Sequence, residues 1–516
     1  MKKLLSALLV FCLVSMSGCT SWWATKLGGG FDRENPLHMK SSMGGTALRL
    51  VNRAYDIGVP VVDHHLHVIG NGQELAEFCP GMDLSDVPAG EKLESWINED
   101  RFDFNSSPKW WFRTRVLMDS MGVDQGNKET ADQQSLCRLE KLVRGLTSTP
   151  GERGHGTVCD TADAVTERSS EPFRNKKYDV RIHLLALDGH YDKKGTEIIR
   201  EKTDLYISNW YVIKLAQCLN NRFSDSNPFV PVVSVNPYRV DAIKQIESLK
   251  HRSRYIKWVA PAMGFDPSDS YNNEFYRRVK NNGQVIMSHT GALHTFRPMD
   301  PDFQRFGDPL LMTRALDFGI PVILSHAGGE DVKHYPDPAD EWDWGLWEYK
   351  KTYHNNEHFI EMMASEKNQF EWCLFGDISA LTLEENFQHF NAFFGPDKKH
   401  FNYRMVYGSD YPLVAARGLY PVEDMIKTNL IDNALKLPLE EVFKYNPLAF
   451  DVAVKRLLMA PVNGVDPEGS EHLPVEMFMS IEENIRREHD NPGRTHYQRR
   501  QCRAWYEKNV GALGSV

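Results

Sequence analysis

Long apolar runs are scarce in this chain of 516 residues. The run at the N-terminus, from Leu4 to Met16, covers thirteen residues, too short to span a bilayer comfortably, and a many-span membrane protein is excluded. Positive charge is also in short supply. Lys and Arg number 60 against 70 Asp and Glu, and the formal net charge of −10 disfavours nucleic acid or an anionic lipid surface as the main partner. The cysteines show no CxxC pairing or regular spacing, which gives no support to a cysteine metal site, and no internal repeat of useful strength divides the chain. What is present, 41% apolar and 25% charged residues, is enough to bury a large core. Length allows one large domain or up to about three, and a single α/β barrel with insertions also reaches this size. Motifs must decide the domain count.

The first residues read as an export signal, with Lys2 and Lys3 ahead of the apolar run. Met16-Ser17-Gly18-Cys19 resembles a bacterial lipobox, in which small residues precede a cysteine that is acylated and becomes the new N-terminus; Met16 stands where Leu is usual. An ordinary signal peptide that contains Cys19 is the competing reading. The lipoprotein reading places a signal peptide over 1–18 and a lipid-anchored tether and lead-in over 19–50, with Trp22 and Trp23 at headgroup level and Gly28-Gly29-Gly30 as a flexible joint. Thr20, rather than Asp, follows the cysteine, which points to the periplasmic face of the outer membrane. The expected location is therefore the bacterial cell envelope, with the membrane reached through the lipid. An exported compartment permits disulfides among Cys79, Cys137, Cys159, Cys218, Cys373 and Cys502, and buried free thiols are the alternative.

From about Val59, short β-rich runs alternate with longer helical patterns. The runs are VPVVDHHLHV (59–68), RIHLLALD (181–188), FVPVVSV (229–235), YIKWVA (255–260), QVIMSHT (284–290), IPVILSHA (320–327), WCLFGDIS (372–379) and RMVYGSD (404–410). Amphipathic segments such as VDAIKQIESLK, NEFYRRVKNN, DPLLMTRALDFG and ENFQHFNAFFG lie between them. Eight strands alternating with helices predict an α/β fold, a (β/α)8 TIM barrel over 51–460, with a large insertion after strand 1 and a C-terminal extension. The insertion, 70–178, reads as an inserted subdomain or a lid and holds the turn-like GMDLSD at 81–86, Trp110-Trp111 and a polar stretch from Gly122 to Gln134. Trp342, Trp344, Trp347 and Tyr349 cluster in the loop after the sixth strand, either as a pocket wall or as loop packing. The extension over 461–516 is polar, with a basic helical stretch near Arg486, and is expected to wrap the barrel or cap its base.

Asp63, His65 and His67 alternate along the first strand, so a period of two sends them to one face, taken as the barrel interior, and turns His64 outward to pack. Asp63 then orients a ligand from behind. Two imidazoles at a strand's C-terminal end suit a divalent transition metal; packing or hydrogen bonding is the ordinary alternative. His289 ends the fifth strand, His326 the sixth and Asp410 the eighth, and strand ends that meet at the top face are how barrel enzymes assemble sites. Arg239 in NPYR and Arg297 in HTFRPMD are candidates for a substrate carboxylate, against a surface role. Asp377 in GDIS is either a site wall or a turn cap.

With VVDHHLHV (61–68), IKWVAPAMGFDP (256–267), VIMSHTGA (285–292), VILSHAGG (322–329), GDISAL (376–381), YGSDYP (407–412) and YNPLAF (445–450) in this order, the chain resembles the amidohydrolase superfamily. The likeness is to its amidohydrolase-2 branch, which includes aminocarboxymuconate semialdehyde decarboxylase, resorcylate-type decarboxylases, lactonases and hydratases. The resemblance implies that His65, His67, His289 and Asp410 bind a divalent metal, zinc foremost with manganese or iron as alternatives. It makes Asp410 a proton-handling catalytic group and His326 an acid/base or orienting group. Lys257 is open between a carboxylated bridge for two metals, a substrate-binding cation and a barrel lysine paired with Asp410. The function implied is a metal-dependent hydrolase of a small-molecule ester, amide or lactone. A non-oxidative decarboxylase of a small carboxylated substrate is the alternative, as is an envelope binding or scaffold lipoprotein. A homo-oligomer stays open.

Overall fold

The computed structural model describes residues 27, 34–68, 70, 72, 74–98, 108–123, 131–148, 172–223, 226–293, 301–329, 332–333, 352–353, 355–365, 367, 372–379, 381–383, 404–419, 422–457, 475–490 and 500–509. Each of the eight β-rich runs forms a strand: β1 Val61–His67, β2 Val180–Leu185, β3 Phe229–Val232, β4 Tyr255–Trp258, β5 Val285–Ser288, β6 Val322–Leu324, β7 Leu374–Asp377 and β8 Met405–Val406. Their side chains are almost all buried, as expected of a parallel sheet covered on both faces.

The strands form two parallel sheets, β1-β2-β3 and β4-β5-β6-β7-β8. Parallel bridges join them at both edges, Val233 to Ile256 between β3 and β4 and Leu66 to Tyr411 between β1 and the chain after β8. Lys257 N donates to Val233 O (2.7 Å) across the first seam, and Asp410 N to His65 O (2.7 Å) and His67 N to Tyr411 O (2.9 Å) across the second. The strands therefore follow one another round a ring, the (β/α)8 TIM barrel.

Helices cover the ring because their apolar residues fall three and four apart. Examples are α1 Gly45–Tyr55, which buries Ala47, Leu48, Val51 and Ala54, α2 Asn209–Asn220, and α3 Ala242–Leu249, which buries Ala242, Ile246 and Leu249. In the same way α4 Asn273–Asn281 buries Phe275, Tyr276 and Val279, and α5 Asn355–Ala364 and α6 Pro447–Leu457 lie further along the chain. Within the 70–178 stretch, helix Ala131–Thr147 sinks Leu136, Leu139, Leu142, Val143 and Leu146 into the same core. Ser95–Ile97 in that stretch pairs antiparallel with Leu205–Ile207. No helix among the described residues is long and apolar enough to cross a membrane.

The lower interior of the ring is filled by Leu185, Val232, Tyr255, Val285, Met287, Ile323, Phe375 and Val406. These pack on Ile481 and Ile485 of α7 (Ile481–Asp490) and on Cys502 and Trp505 of α8 (Arg500–Asn509). Tyr255 and Val285 open their strands, so the C-terminal extension caps the base of the barrel and leaves the opposite face to the site. A Cys373–Cys502 disulfide ties this cap to β7, and Cys79–Cys218 ties the insertion to α2. Cys137 is also disulfide-bonded, so bridges and not free thiols are formed at these five positions.

Candidate metal centre

The first strand departs from strict alternation. Its register against β2 shifts between Asp63 and Leu66, a bulge that places neighbouring side chains on one side of the sheet. His64 therefore does not point outward. Its ring meets His183 (centroids 4.7 Å apart) and Tyr255 (6.0 Å), two groups of the lower interior, and its Nε2 lies 3.3 Å from Met479 O in the cap. Asp63 is turned the other way, toward Tyr55 and Asp451 of the helical layer. It still orients the site, through the main chain: one carboxylate oxygen accepts from His65 N (3.0 Å) and Ser409 N (2.9 Å), fastening β1 to the end of β8. Burial pushes this carboxyl up to about 7.

Beyond the bulge, His65 and His67 face the top of the barrel, where their Nε2 atoms come within 3.1 Å of each other. Asp410 Oδ1 lies 3.6 Å from His65 Nε2 and 3.4 Å from His67 Nε2. These three donors lie within 4.8 Å of one another, a cluster of the size and chemistry that holds a divalent cation. Asp410 Oδ2 is 3.8 Å from His326 Nδ1, and His326 Nε2 is 3.1 Å from His289 Nδ1, so the ends of β1, β5, β6 and β8 meet in one chain of side chains. His326 (φ 61°), Ala327 (φ 51°) and Asp410 (φ 56°) all adopt left-handed backbone, which costs about 1–3 kcal/mol per non-glycine residue and concentrates at functional sites.

One buried carboxylate organises much of this. Asp377 Oδ2 accepts from His65 Nδ1 (2.9 Å), while Oδ1 takes His326 N (2.9 Å), Ser379 N (3.1 Å) and the Ser379 hydroxyl (2.5 Å). These bonds assign the imidazole tautomers. With its proton on Nδ1, His65 presents the Nε2 lone pair to the site. Ser379, its hydrogen given to Asp377, accepts from His326 Nδ1 (2.8 Å), and His326 Nε2 then accepts from His289 Nδ1. His289 Nε2 is left as a bare lone pair, buried and without a hydrogen-bond partner among the described residues.

Electrostatics agree with that protonation pattern. Burial, then the Lys257 cation, lowers the His65 imidazole to about 3, and burial lowers His289 and His326 too. Burial alone would raise Asp410, yet the hydrogen bond from His67 holds its carboxyl below the usual range; Asp377, which accepts from His65 Nδ1, is likewise held down against its own burial. Neutral imidazoles beside ionised carboxylates are the donor set a divalent metal requires. The His65, His67 and Asp410 cluster thus fits a single divalent cation, and His289 is joined to it through His326.

Lys257 Nζ reaches into the same site, 3.1 Å from His65 Nε2 and 3.0 Å from Ser325 Oγ, and burial lowers it to about 8 against the pull of Asp377 and Asp410. Arg239 is engaged elsewhere. Its guanidinium pairs with Asp188 (3.2 Å) and Asp241 (2.9 Å) and is largely buried, so its fork is engaged by the protein's own carboxylates. Arg297, the Trp342, Trp344, Trp347 and Tyr349 cluster, the ENFQHFNAFFG segment, and Cys19 with Trp22, Trp23 and the three glycines lie outside the described residues. Asp377, expected at the end of the seventh strand as a site wall or a turn cap, proves to be the hydrogen-bonded centre of the site.

No family model and no curated protein matches the chain. Among solved structures it is similar to an uncharacterised TIM-barrel protein from Bordetella bronchiseptica (TM-score 0.35, 13% identity, 77% of this chain and 100% of that one). It is also similar to 5-carboxyvanillate decarboxylase from Sphingomonas paucimobilis (TM-score 0.31, 11% identity, 78% of this chain and 93% of that one). A third likeness is to 2,6-dihydroxybenzoate decarboxylase from Rhizobium (TM-score 0.26, 11% identity, 54% of this chain and 84% of that one).

Proposed function

We propose that the chain is a metal-dependent hydrolase of a small-molecule ester, amide or lactone. The observation that carries this reading is the meeting of His65, His67 and Asp410 at the top of the barrel, with the bare His289 Nε2 joined to them through His326. His65, His67, Asp410 and His289 would hold a divalent cation, zinc foremost with manganese or iron as alternatives. When bound, such a cation supplies Lewis acidity that polarises a carbonyl and makes nearby water more acidic.

The residues supply the rest. Asp410, ionised at neutral pH, accepts a proton on Oδ2, the oxygen that faces His326. His326, fixed by Ser379 below and His289 beside it, orients the group that receives that proton. Lys257 offers a buried amine to a carbonyl or carboxylate oxygen. That amine also favours a second reading, a non-oxidative decarboxylase, because a cation beside the metal ligands suits a carboxylated substrate. Screening purified protein with lactones and esters, and in parallel for carbon dioxide release from hydroxybenzoates, separates the two. Turnover of the first set that disappears in H65A supports hydrolysis. Carbon dioxide release alone replaces it with the lyase, and inertness of both with tight ligand binding leaves an envelope binding protein. We further propose that the enzyme acts in the bacterial cell envelope, lipid-anchored through Cys19; the disulfides, which persist in oxidising compartments, support export.

A further inference from the structure

Behind the site, in the layer between ring and helices, lies a buried charge that the chemistry above does not use. Lys455 sits on α6 with its side chain fully enclosed, and the three N–H donors of its ammonium meet three acceptors: Asp451 Oδ2 (2.8 Å), Gly408 O (2.9 Å) and Ser379 O (3.1 Å). Stability alone does not account for such a group. Taking a charge pair out of water is costly, and apolar replacements of buried pairs are commonly neutral or stabilising. What the ammonium provides is direction, since its two main-chain acceptors belong to the ends of two different barrel strands.

Both acceptors stand one step from the donor cluster. Ser379, after β7, bonds His326 through its hydroxyl and Asp377 through its amide. Gly408, after β8, precedes Asp410 by two residues and runs flush against β1, where an added Cβ would sit 2.6 Å from His65 Cβ and 3.4 Å from Ser379 Cβ. We propose that Lys455 is a positioning residue, a clamp outside the barrel wall that sets the β7 end carrying Ser379 against the β8 end carrying Asp410, and so fixes His326 and Asp410 relative to His65. This inference rests on the reading of the cluster as a metal site. Asp451 completes the clamp by anchoring the third ammonium proton to the same helix, one turn earlier.

Cobalt(II) titration of the full chain tests it, because cobalt absorption bands report ligand geometry and a merely stabilising lysine would leave them unchanged. K455M is expected to bind cobalt about 10–100-fold more weakly, the loss typical of an outer-shell support, with shifted bands, and K455R to recover part of both. K455M leaves Asp451 buried without its partner, so the double variant D451N/K455M, which removes both charges, is measured alongside and is expected to show the same weakening. Folded variants that bind cobalt within about 2-fold of wild type with unchanged bands would overturn the clamp. A wild-type chain that binds no cobalt at all would overturn the metal reading itself, and the clamp with it.

Discussion

Replacing Asp377 by Asn keeps the shape of the side chain and changes one proton. The amide oxygen can retain His326 N, Ser379 N and the Ser379 hydroxyl, the three donors on Oδ1. The amide nitrogen then faces His65 Nδ1, 2.9 Å away in the parent, and two N–H groups cannot share that contact. Since burial keeps His65 neutral, the relief open to it is to move its proton to Nε2, which turns the lone pair away from His67 and Asp410. A metal would lose one of its nitrogen donors or have to restore the unfavourable contact. Supports of this kind are worth about 10–100-fold in metal affinity, which is about 1.4–2.7 kcal/mol. The assay is competition with a chelator of known affinity, read beside nitrogen NMR of the imidazoles, which distinguishes the two tautomers. D377N is expected to show the affinity loss together with a His65 proton on Nε2. Wild-type affinity with the proton still on Nδ1 would refute the tautomer argument.

Three further outcomes follow from the packing. R239M strips the partner from buried Asp188 and is expected to lower unfolding stability by about 3–5 kcal/mol in urea while leaving KM near wild type; a KM effect at unchanged stability would return Arg239 to the substrate. The C373S/C502S pair opens a closure 129 residues apart and is expected to cost up to about 5 kcal/mol by the chain-entropy estimate, and a urea midpoint unmoved from wild type would show that the base cap holds without its tether. Burial pushes the Asp451 carboxyl up to about 6 against the pull of Lys455, so the folded state binds that proton more tightly than the unfolded chain. Its contribution is complete below the ordinary carboxyl range and is lost as pH rises through about 6. D451N should therefore lose less stability than wild type over that window, and parallel curves for the two would count against it.

The barrel was legible because its signal is chemical and local. Each β-rich run formed its strand, since buried parallel strands must be apolar on both faces, and the strand-end residues His65, His67, His289, His326 and Asp410 were brought together as the topology requires. What escaped depends on backbone detail that residue types do not encode. Alternation sent His64 outward and Asp63 inward, and the bulge between Asp63 and Leu66 reversed both. Arg239, a candidate for a substrate carboxylate or a surface role, is largely buried against Asp188 and Asp241, partners that the loops after β2 and β3 place beside it and that no sequence spacing announced. Lys455 acts through main-chain groups of two other elements, a kind of contact that leaves no spacing pattern in the sequence.

Metal content per chain, determined by elemental mass spectrometry on the purified protein and on H65A/H67A, tests the central claim most directly. The account predicts close to one zinc, manganese or iron per wild-type chain and a loss of nearly all of it in the variant. A wild-type chain that remains free of metal after reconstitution, or a variant that retains as much metal as wild type, would contradict it.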